Sequence, residues 1–276
     1  MPEPSSEPPD RWAPVVRTER ITPNMQRITL SGGDLTRFES SGAPDERLLL
    51  AFPPGGMERS YTVRRWDPSA CEMDIDFAVH AGGPAVRWAL QASPGEVVGF
   101  SAASGWYAPP GDEEWQLLVA DMTALPAVGR IVEELPGSAH VHVIAEITTT
   151  EDRQQLTTGA DLTVTWLHDS GNGTGRSRLA EAARSWSRPS GPGYVWFAGE
   201  AKTSRDVRRW LRHELGWPPE RYDVMGYWRA DKEDWVARYE TFREQIEAAR
   251  DSALAAGRDF DAVRDAVDAA LDRTGL

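Results

Sequence analysis

The amino-acid sequence predicts two domains followed by a helical tail. Residues 12–110 are predicted to form an antiparallel β-barrel, residues 111–230 an α/β domain with a parallel sheet, and residues 231–276 a helical extension, after a disordered arm at 1–11. Two observations predict this division. The hydrophobic period is two residues in the first part, and apolar strands alternate with amphipathic helices in the second.

Short alternating runs separated by Gly and Pro fill the first domain. In the run at 72–80, Met73, Ile75, Phe77 and Val79 alternate with acidic or small residues, as in a strand that buries one face. Further strands are predicted at 25–32, 47–52 and 59–66. Several strands at this spacing are typical of an antiparallel barrel or sandwich.

The pattern changes after the loop at 104–114. Apolar strands are predicted at 116–121, 141–147, 162–169, 194–200 and 222–228, with helices at 125–135, 176–186 and 204–215. This alternation predicts a parallel sheet that helices cover on both faces.

The tail is acidic and helical, with 12 Asp and Glu against 7 Lys and Arg in residues 231–276. Two amphipathic helices are predicted, because apolar residues recur at helical spacing before and after Gly257. The apolar positions are Trp235, Tyr239, Phe242 and Ile246, then Phe260, Val263, Val267 and Leu271. These faces are expected to pack onto the body of the protein, and a partner helix or a dimer contact is the alternative.

Composition excludes several classes of protein. The net charge is -13 and the isoelectric point is near 4.9, which argues against nucleic acid or an anionic membrane surface as a partner. The single cysteine, Cys71, excludes an internal disulfide. No apolar run approaches the roughly 18 residues of a membrane-spanning helix. A cytoplasmic protein without membrane insertion is therefore expected.

The usual catalytic motifs are missing from the sequence. His140 and His142 share one face of a predicted strand, but no third ligand completes a motif, so no metal site is predicted. The glycines at 171, 173 and 175 follow a strand, yet they are interpreted as a flexible loop rather than a phosphate cradle. Trp106 is predicted only to pack.

Two segments of the barrel domain can bind an anionic, ring-bearing ligand. In the strand at 59–64, Arg59, Tyr61 and Val63 point one way, and Ser60, Thr62 and Arg64 point the other. This strand offers charge for a phosphate, a ring for stacking and hydroxyls for polar ring edges. The segment at 80–90 opens a short helix after glycines, where free N–H groups attract phosphate. A solvated edge strand and an ordinary turn are the alternatives.

Five segments carry a resemblance to a known family: RSYTVR (59–64), DFAVHAGGPAVRWA (76–89), ADMTALPAVGRIVEELP (120–136), VWFAGEA (195–201) and VMGYWR (224–229). In this order they resemble the siderophore-interacting protein family, which comprises flavin-dependent ferric-siderophore reductases of the ferredoxin–NADP reductase-like superfamily. The resemblance implies an FAD-binding barrel followed by a Rossmann-like NAD(P)H-binding domain. Periodicity predicts the same order of domains.

The resemblance also implies cofactor-binding residues. They are Arg59, Ser60, Tyr61, Thr62, Phe77, Val79, His80, Gly83, Pro84, Ala85, Trp88, Asp121, Thr123, Gly199, Glu200, Ala201, Tyr227 and Trp228. By the family's pattern, 59–62 holds the flavin ring and phosphate region, and 79–85 lines the diphosphate. The segment at 121–123 closes over the flavin, 199–201 receives the nicotinamide nucleotide, and 227–228 lies near the isoalloxazine.

The sequence departs from the family's pattern in two places. The Gly-Pro-Arg-Gly-like turn is replaced by FSAASGWY at 100–107, and the family's glycine and glutamate are replaced by Ala120 and Met122. Lys202 and Lys232 are the only lysines, so arginines are expected to contact an anionic ferric siderophore. Arg130 and Arg229 are the candidates, with Arg64 (or its neighbour at position 65) as a third.

The function implied is transfer of a hydride from NADH or NADPH to FAD and of electrons from FAD to a ferric siderophore, with release of Fe(II). Lys202, Arg205, Arg208 and Arg209 fit a 2′-phosphate site or an ordinary basic helix face, so the choice between NADH and NADPH stays open. Alternatives are a flavin reductase that uses quinone or ferredoxin, and a noncatalytic siderophore-binding flavoprotein. A monomer is expected.

Overall fold

The computed structural model describes residues 9–52, 56–80 and 83–276. They form two compact units, one extending to Trp228 and the other spanning Arg229–Leu276. Most of the predicted disordered arm lies outside the described residues, but its last residue, Arg11, already begins the first strand.

The first half of the larger unit is a closed barrel of six antiparallel strands in the order β1-β2-β5-β4-β3-β6. The strands are β1 (Arg11–Thr22), β2 (Met25–Ser31), β3 (Arg47–Phe52), β4 (Met57–Asp67), β5 (Glu72–Ala78) and β6 (Val97–Phe100). Pairing of β6 with β1 closes the barrel, so the predicted barrel is confirmed and the sandwich is not adopted. Helix α1 (Pro84–Gln91) lies between β5 and β6.

Five parallel strands follow, in the order β11-β10-β7-β8-β9. They are β7 (Trp115–Asp121), β8 (His140–Glu146), β9 (Asp161–Leu167), β10 (Gly193–Glu200) and β11 (Tyr222–Trp228). From β7 the chain passes to β8 on one side and returns to β10 on the other. The carboxyl ends of β7 and β10 therefore form the topological switch point, where open parallel sheets bind ligands.

Helices cover this sheet as predicted. They are α2 (Leu125–Glu134), α3 (Leu179–Ser185) and α4 (Ala201–Arg209), which continues as a π-helical turn at Trp210–Glu214. Helix α2 contacts β7, β8 and the barrel strand β4, whereas α3 packs beside α4. The third helix starts at Leu179 rather than at 176, because the backbone N–H of Arg178 donates to the Glu146 side chain at 2.7 Å instead of entering a helix.

Buried carboxylates connect the barrel to the second half of the unit. Asp45 accepts hydrogen bonds from the backbone N–H groups of Trp106 and Tyr107 (2.8 and 3.0 Å) and from the indole of Trp196 (3.0 Å). Glu46 accepts from the Arg130 guanidinium at 2.8 Å.

A third carboxylate, Asp152, follows β8 and accepts from the Thr22 hydroxyl and from the backbone and side chain of Asn24, each at 2.8 Å. Asp45, Glu46 and Asp152 are fully buried. Together with Arg130 they are called the junction network below.

The smaller unit is a helical hairpin of α5 (Lys232–Ala255) and α6 (Phe260–Thr274). Its core contains Ile246, Ala270, Leu271 and Leu276, with Trp235, Tyr239, Phe242 and Val267 packed against them. The two predicted helices are confirmed. Phe260 departs from the predicted face, since it is 56% exposed at the start of α6. Packing of the hairpin onto the larger unit stays a prediction.

Candidate functional site

The strand β4 presents two chemically different faces, as its alternation predicts. Val63 and Tyr61 pack into the barrel core, and Thr62 is buried on the opposite, outward face. Arg59, on the same face as Tyr61, is exposed, and its guanidinium donates to the carbonyl of Glu58 at 2.7 Å. The motif therefore divides into an aromatic side and a hydroxyl side.

The Tyr61 ring is held by other aromatic side chains. Its centroid lies 4.3 Å from that of Phe77 and 6.0 Å from that of Phe52, and Phe52 lies 4.6 Å from Trp88 of α1. Burial raises the pKa of Tyr61, so its hydroxyl stays neutral and can donate a hydrogen bond. Phe77 is 1% exposed and packs against Tyr61 in the barrel core, and its predicted contact with the cofactor stays a prediction.

The start of α1 follows directly on this aromatic group. Gly83 has φ of 91°, a conformation that favours glycine, and Pro84 occupies the first turn with no side chain capping the helix. Uncapped N–H groups at a helix start attract anions. Val79 and His80 lead into this turn, and the backbone N–H of Val79 donates to the Asn24 carbonyl. Residues 81 and 82, between His80 and Gly83, lie outside the described part of the chain.

Where the outward face of the barrel meets the end of β11, several buried polar atoms have no hydrogen-bond partner among the described residues. Five of them belong to neighbouring residues: Arg47 Nε, Ser60 Oγ, Thr62 Oγ1, Ser104 Oγ and the Tyr227 hydroxyl. They are called the unsatisfied cluster below. Arg47 pairs with Thr62 across β3 and β4 and exchanges backbone hydrogen bonds with Ser104.

An unpaired buried polar group costs about 1–3 kcal/mol, so five of them side by side suit a polar ligand. Sequence reasoning selected three of these residues and missed Arg47 and Ser104. A charged side chain opening the otherwise apolar run RLLLAF was the signal available for Arg47.

Asp121 organises the carboxyl edge of the sheet. One carboxylate oxygen accepts from the backbone and hydroxyl of Thr123 (2.9 and 2.6 Å), and the other accepts from the indole of Trp228 at 2.6 Å. A Cβ at Gly199 would lie 2.9 Å from the second oxygen, so only glycine fits there. Burial raises the pKa of Asp121, against the opposing effect of these hydrogen bonds. The structure brings Asp121, Thr123, Gly199 and Trp228 together at the switch point.

The glycine-rich loop after β9 is hydrogen-bonded to this same edge through Asn172, and its flexibility stays a prediction. Asn172 accepts from the backbone N–H of Met122 at 2.9 Å and donates to the Glu146 carbonyl at 3.1 Å. It thereby joins the ends of β7 and β8. Gly171 has φ of 62°, and a side chain there would collide with the Glu146 carboxylate.

Glu200 caps the next helix. Its carboxylate accepts from the backbone N–H groups of Lys202 and Thr203 at 2.7 and 3.0 Å. The N-terminus of α4, which begins at Ala201, therefore does not offer these N–H groups to a phosphate. Arg205 and Arg208 are 7% and 3% exposed, so they do not form the solvated basic helix face considered above.

Two of the three predicted substrate-binding arginines are already paired within the protein. Arg64 makes two hydrogen bonds with Glu133 at 2.7 and 2.6 Å. Arg130 contacts Glu134 at 2.7 Å besides Glu46, and it is 8% exposed. The structure therefore assigns Arg130 to the junction network and not to an open substrate cleft, and its charge is compensated by carboxylates.

The third arginine, Arg229, belongs to the helical hairpin, where its guanidinium lies 3.9 Å from the ring centre of Trp235. Its predicted contact with a substrate stays a prediction. In the described ranges there is no group of three or more His, Cys, Asp or Glu side chains that could hold a metal ion, and no helix is long and apolar enough to cross a membrane.

Comparison with known proteins assigns the family. Residues 113–231 match the siderophore-interacting protein family, and residues 14–59 and 55–107 match the siderophore-interacting FAD-binding domain. The chain belongs to the siderophore-interacting protein family. The family and the FAD cofactor predicted from the five motifs are thereby confirmed.

Full-length relatives agree with this assignment. The chain is 30% identical over 240 residues to an NADPH-dependent ferric-chelate reductase of Escherichia coli, covering 78% of this chain and 91% of that protein. It is 28% identical over 242 residues to ferric vibriobactin reductase ViuB of Vibrio cholerae, covering 79% and 89%. A crystal structure of a siderophore utilization protein from T. fusca is 34% identical, with a TM-score of 0.73 and coverage of 80% and 93%.

The residues of the barrel fit FAD. The uncapped start of α1 suits its diphosphate, and the unsatisfied cluster suits a planar ring system with polar edges. The exposed guanidinium of Arg59 suits a phosphate as well.

Proposed function

We propose that this protein is a ferric-siderophore reductase that takes a hydride from NADH or NADPH and delivers electrons to siderophore-bound Fe(III). The observation that carries the proposal is the meeting of the barrel's unsatisfied cluster with the end of β11. Tyr227 belongs to that strand, and the Arg47 guanidinium lies 4.2 Å from its ring centre. A ring bound at the cluster would thus lie beside the carboxyl edge, where a nicotinamide nucleotide is expected to bind.

The enzyme class is supported independently of this geometry. Relatives that the chain covers over about nine-tenths of their length are named ferric reductases, one of them NADPH-dependent. The predicted class of FAD-dependent NAD(P)H oxidoreductase is confirmed in this way. The siderophore as substrate, a monomeric state and a cytoplasmic location are parts of the proposal, and the choice between NADH and NADPH stays open.

In the proposal, the barrel residues hold the cofactor. Arg59 and the start of α1 bind its phosphates, while Tyr61, with a neutral hydroxyl, and Thr62 bind the flavin and its side chain. Trp88 reinforces Tyr61 through Phe52. A bound FAD would accept a hydride from the reduced nicotinamide and release electrons singly to Fe(III).

The carboxyl edge positions groups around the cofactor. Asp121 holds the Trp228 indole at the end of β11. Because Gly199 has no side chain, the backbone of β10 can lie close to the Asp121 carboxylate. Neither group is required to act as a nucleophile or a general base. Fe(III) is held by hard oxygen ligands much more tightly than Fe(II), so reduction itself weakens the siderophore complex.

The proposal is tested by following both half-reactions. The protein is loaded with FAD, reduced anaerobically with NADH or NADPH, and mixed with a ferric siderophore in the presence of an Fe(II) chelator. We expect loss of the flavin absorption band with one donor, then its return together with the colour of the Fe(II) chelate. If quinones restore the band and ferric siderophores do not, the protein is a flavin reductase with another acceptor. If neither nucleotide bleaches the band, ferredoxin as donor or a noncatalytic flavoprotein is favoured instead.

Arg59 tests the position of the phosphates. Arg59→Ala is expected to weaken FAD binding about tenfold, because one charge-assisted contact is lost. The control is Arg37→Ala, which removes an 81% exposed arginine side chain from the same domain. Equal FAD affinity in both variants would remove Arg59 from the proposed site.

A further inference from the structure

Arg47 is a buried arginine whose Nε has no hydrogen-bond partner among the described residues. It opens β3, is 6% exposed, and its guanidinium lies 4.5 Å from the ring centre of Trp106 and 4.2 Å from that of Tyr227. Within the part of the chain that the structure describes, no carboxylate lies within 4.0 Å of it, and its Nε is buried without an acceptor.

A buried positive charge without a carboxylate is unusual, since buried charges are normally paired. The other arginines at this end of the barrel follow the rule, as Arg64 binds Glu133 and Arg130 binds Glu46. Asp45 is close in sequence, but its two oxygens are occupied by three N–H donors. The aromatic rings stabilise the guanidinium from its faces and leave its in-plane N–H donors available.

The hydroxyls around Arg47 are buried and, among the described residues, make no hydrogen bond of good geometry. Thr62 lies opposite Arg47 on β4, Ser60 lies two residues away on the same outward face, and Ser104 pairs with the Arg47 backbone. The Tyr227 hydroxyl completes the unsatisfied cluster; burial raises its pKa, and the neighbouring Thr62 side chain opposes that effect. At 6% exposure the guanidinium presents a narrow edge, which suits the edge of a planar ring better than a bulky ferric chelate.

We propose that Arg47 contacts the flavin ring and binds reduced FAD more tightly than oxidised FAD, which raises the reduction potential of the bound cofactor. The inference rests on the proposed position of FAD at the unsatisfied cluster. Two-electron reduction at neutral pH adds two electrons and one proton to a neutral flavin ring, so the ring gains one negative charge. A fixed cation at the ring edge stabilises that charge and has no such effect on the neutral oxidised ring.

The test measures the reduction potential and the FAD affinity of three variants. Arg47→Met removes the charge and keeps the apolar stem, and Arg47→Lys keeps the charge without the planar fork. Arg37→Met is the control for an equal change in net charge on the exposed surface. Each holoprotein is titrated anaerobically against a reference dye, and oxidised FAD is titrated into each apoprotein.

We expect the ratio of affinities for reduced and oxidised FAD to fall about tenfold in Arg47→Met, which corresponds to a potential about 30 mV lower for a two-electron couple. Arg47→Lys should keep more than half of that difference, and Arg37→Met should keep the wild-type potential. If Arg47→Met does not fold, Arg47→Gln is measured in its place.

Two outcomes would overturn the inference. The first is a wild-type potential in a folded, FAD-loaded Arg47→Met or Arg47→Gln variant, as a purely structural role for Arg47 requires. The second is an equal fall in Arg47→Lys and Arg47→Met, which would assign the effect to shape instead of charge. A wild-type protein that fails to reduce ferric siderophores would overturn the proposed substrate and leave this measurement intact.

Discussion

Two sets of buried polar groups in the larger unit differ in one respect. In the junction network, each carboxylate accepts hydrogen bonds from the other half of the unit, and Arg130 is paired. In the unsatisfied cluster, five buried polar atoms have no partner. Because an unpaired buried polar group is costly, the first set is explained by folding, and the second is the part of the barrel where we propose that a ligand binds.

This difference separates stability from binding. Residues of the junction network should control the free energy of unfolding and leave FAD affinity unchanged once the protein is folded. Residues of the unsatisfied cluster should control FAD affinity and leave the free energy of unfolding of the apoprotein unchanged. Three substitutions test this, a fourth at the more exposed pair Arg64–Glu133 serves as a comparison, and all follow in order of decreasing expected effect.

Arg130→Met should have the largest effect, because it leaves the fully buried Glu46 carboxylate without its counterion. Burial alone would lower the pKa of Arg130, but Glu134 and Glu46 hold it above its ordinary value, so the charge is permanent. We expect the free energy of unfolding in urea to fall by about 3–5 kcal/mol. FAD affinity of the folded fraction should not change. A variant as stable as wild type would show that Glu46 finds another donor.

Asp152→Asn should cost about 1.5–3 kcal/mol at pH 7, since the charged acceptor of Thr22 and Asn24 is lost. Burial alone would raise the pKa of Asp152, but these hydrogen bonds hold it below its ordinary value. The ionised group therefore stabilises the fold above pH about 4, and this contribution is lost as the pH falls through the lowered pKa.

Urea unfolding at pH 7 and at successively lower pH checks this sign. The difference between wild type and Asp152→Asn should shrink on acidification. Glu181→Gln, at an exposed position of α3, is the control and should change little. A difference that grows on acidification would contradict the assignment.

Thr62→Val contrasts directly with Thr29→Val. The Thr62 hydroxyl is buried without a partner, whereas the Thr29 hydroxyl donates to Asp74 at 2.7 Å. We expect Thr62→Val to leave apoprotein stability unchanged or slightly raised and to weaken FAD binding about tenfold, equivalent to about 1.4 kcal/mol. Thr29→Val should lose about 1 kcal/mol of stability with normal FAD affinity. Calorimetry measures the stability of both variants, and FAD titration measures their affinity. A loss of stability in Thr62→Val with normal FAD affinity would contradict the prediction.

Arg64→Met should have the smallest effect on folding. Its partner Glu133 is 38% exposed, and ion pairs near the surface contribute about 0–1 kcal/mol. The free energies of unfolding of Arg64→Met and Arg130→Met are compared by urea unfolding under the same conditions. A loss as large as that of Arg130→Met would mean that exposure does not distinguish the two arginines.

The sequence predicted those parts of this picture that depend on local periodicity. Alternation within β4 predicted that Tyr61 and Thr62 lie on opposite faces of the strand, and the order of strands and helices predicted both halves of the larger unit. The five motifs identified the family and FAD. These features are readable because each one lies within a few consecutive residues.

Long-range pairing could not be read in the same way. Glu46 and Arg130 are 84 residues apart, and Asp152 is 130 residues from Thr22. Without knowledge of these partners, Arg130 was indistinguishable from an arginine that awaits a substrate. Arg47 was overlooked for the converse reason, since only the structure shows that a charge within an apolar run is both buried and unpaired.

Asp45 has a further consequence for motion. This one carboxylate is bonded to the segment that leaves the barrel and to Trp196 within β10. Rotation of the barrel against the parallel sheet would have to break the hydrogen bond between the buried Asp45 carboxylate and Trp196, which opposes opening by domain rotation. Exchange of the nucleotide and the ferric chelate is then expected to depend on rotation of individual side chains at the end of β11. The barrel and the parallel sheet are expected to keep their relative positions throughout the reaction.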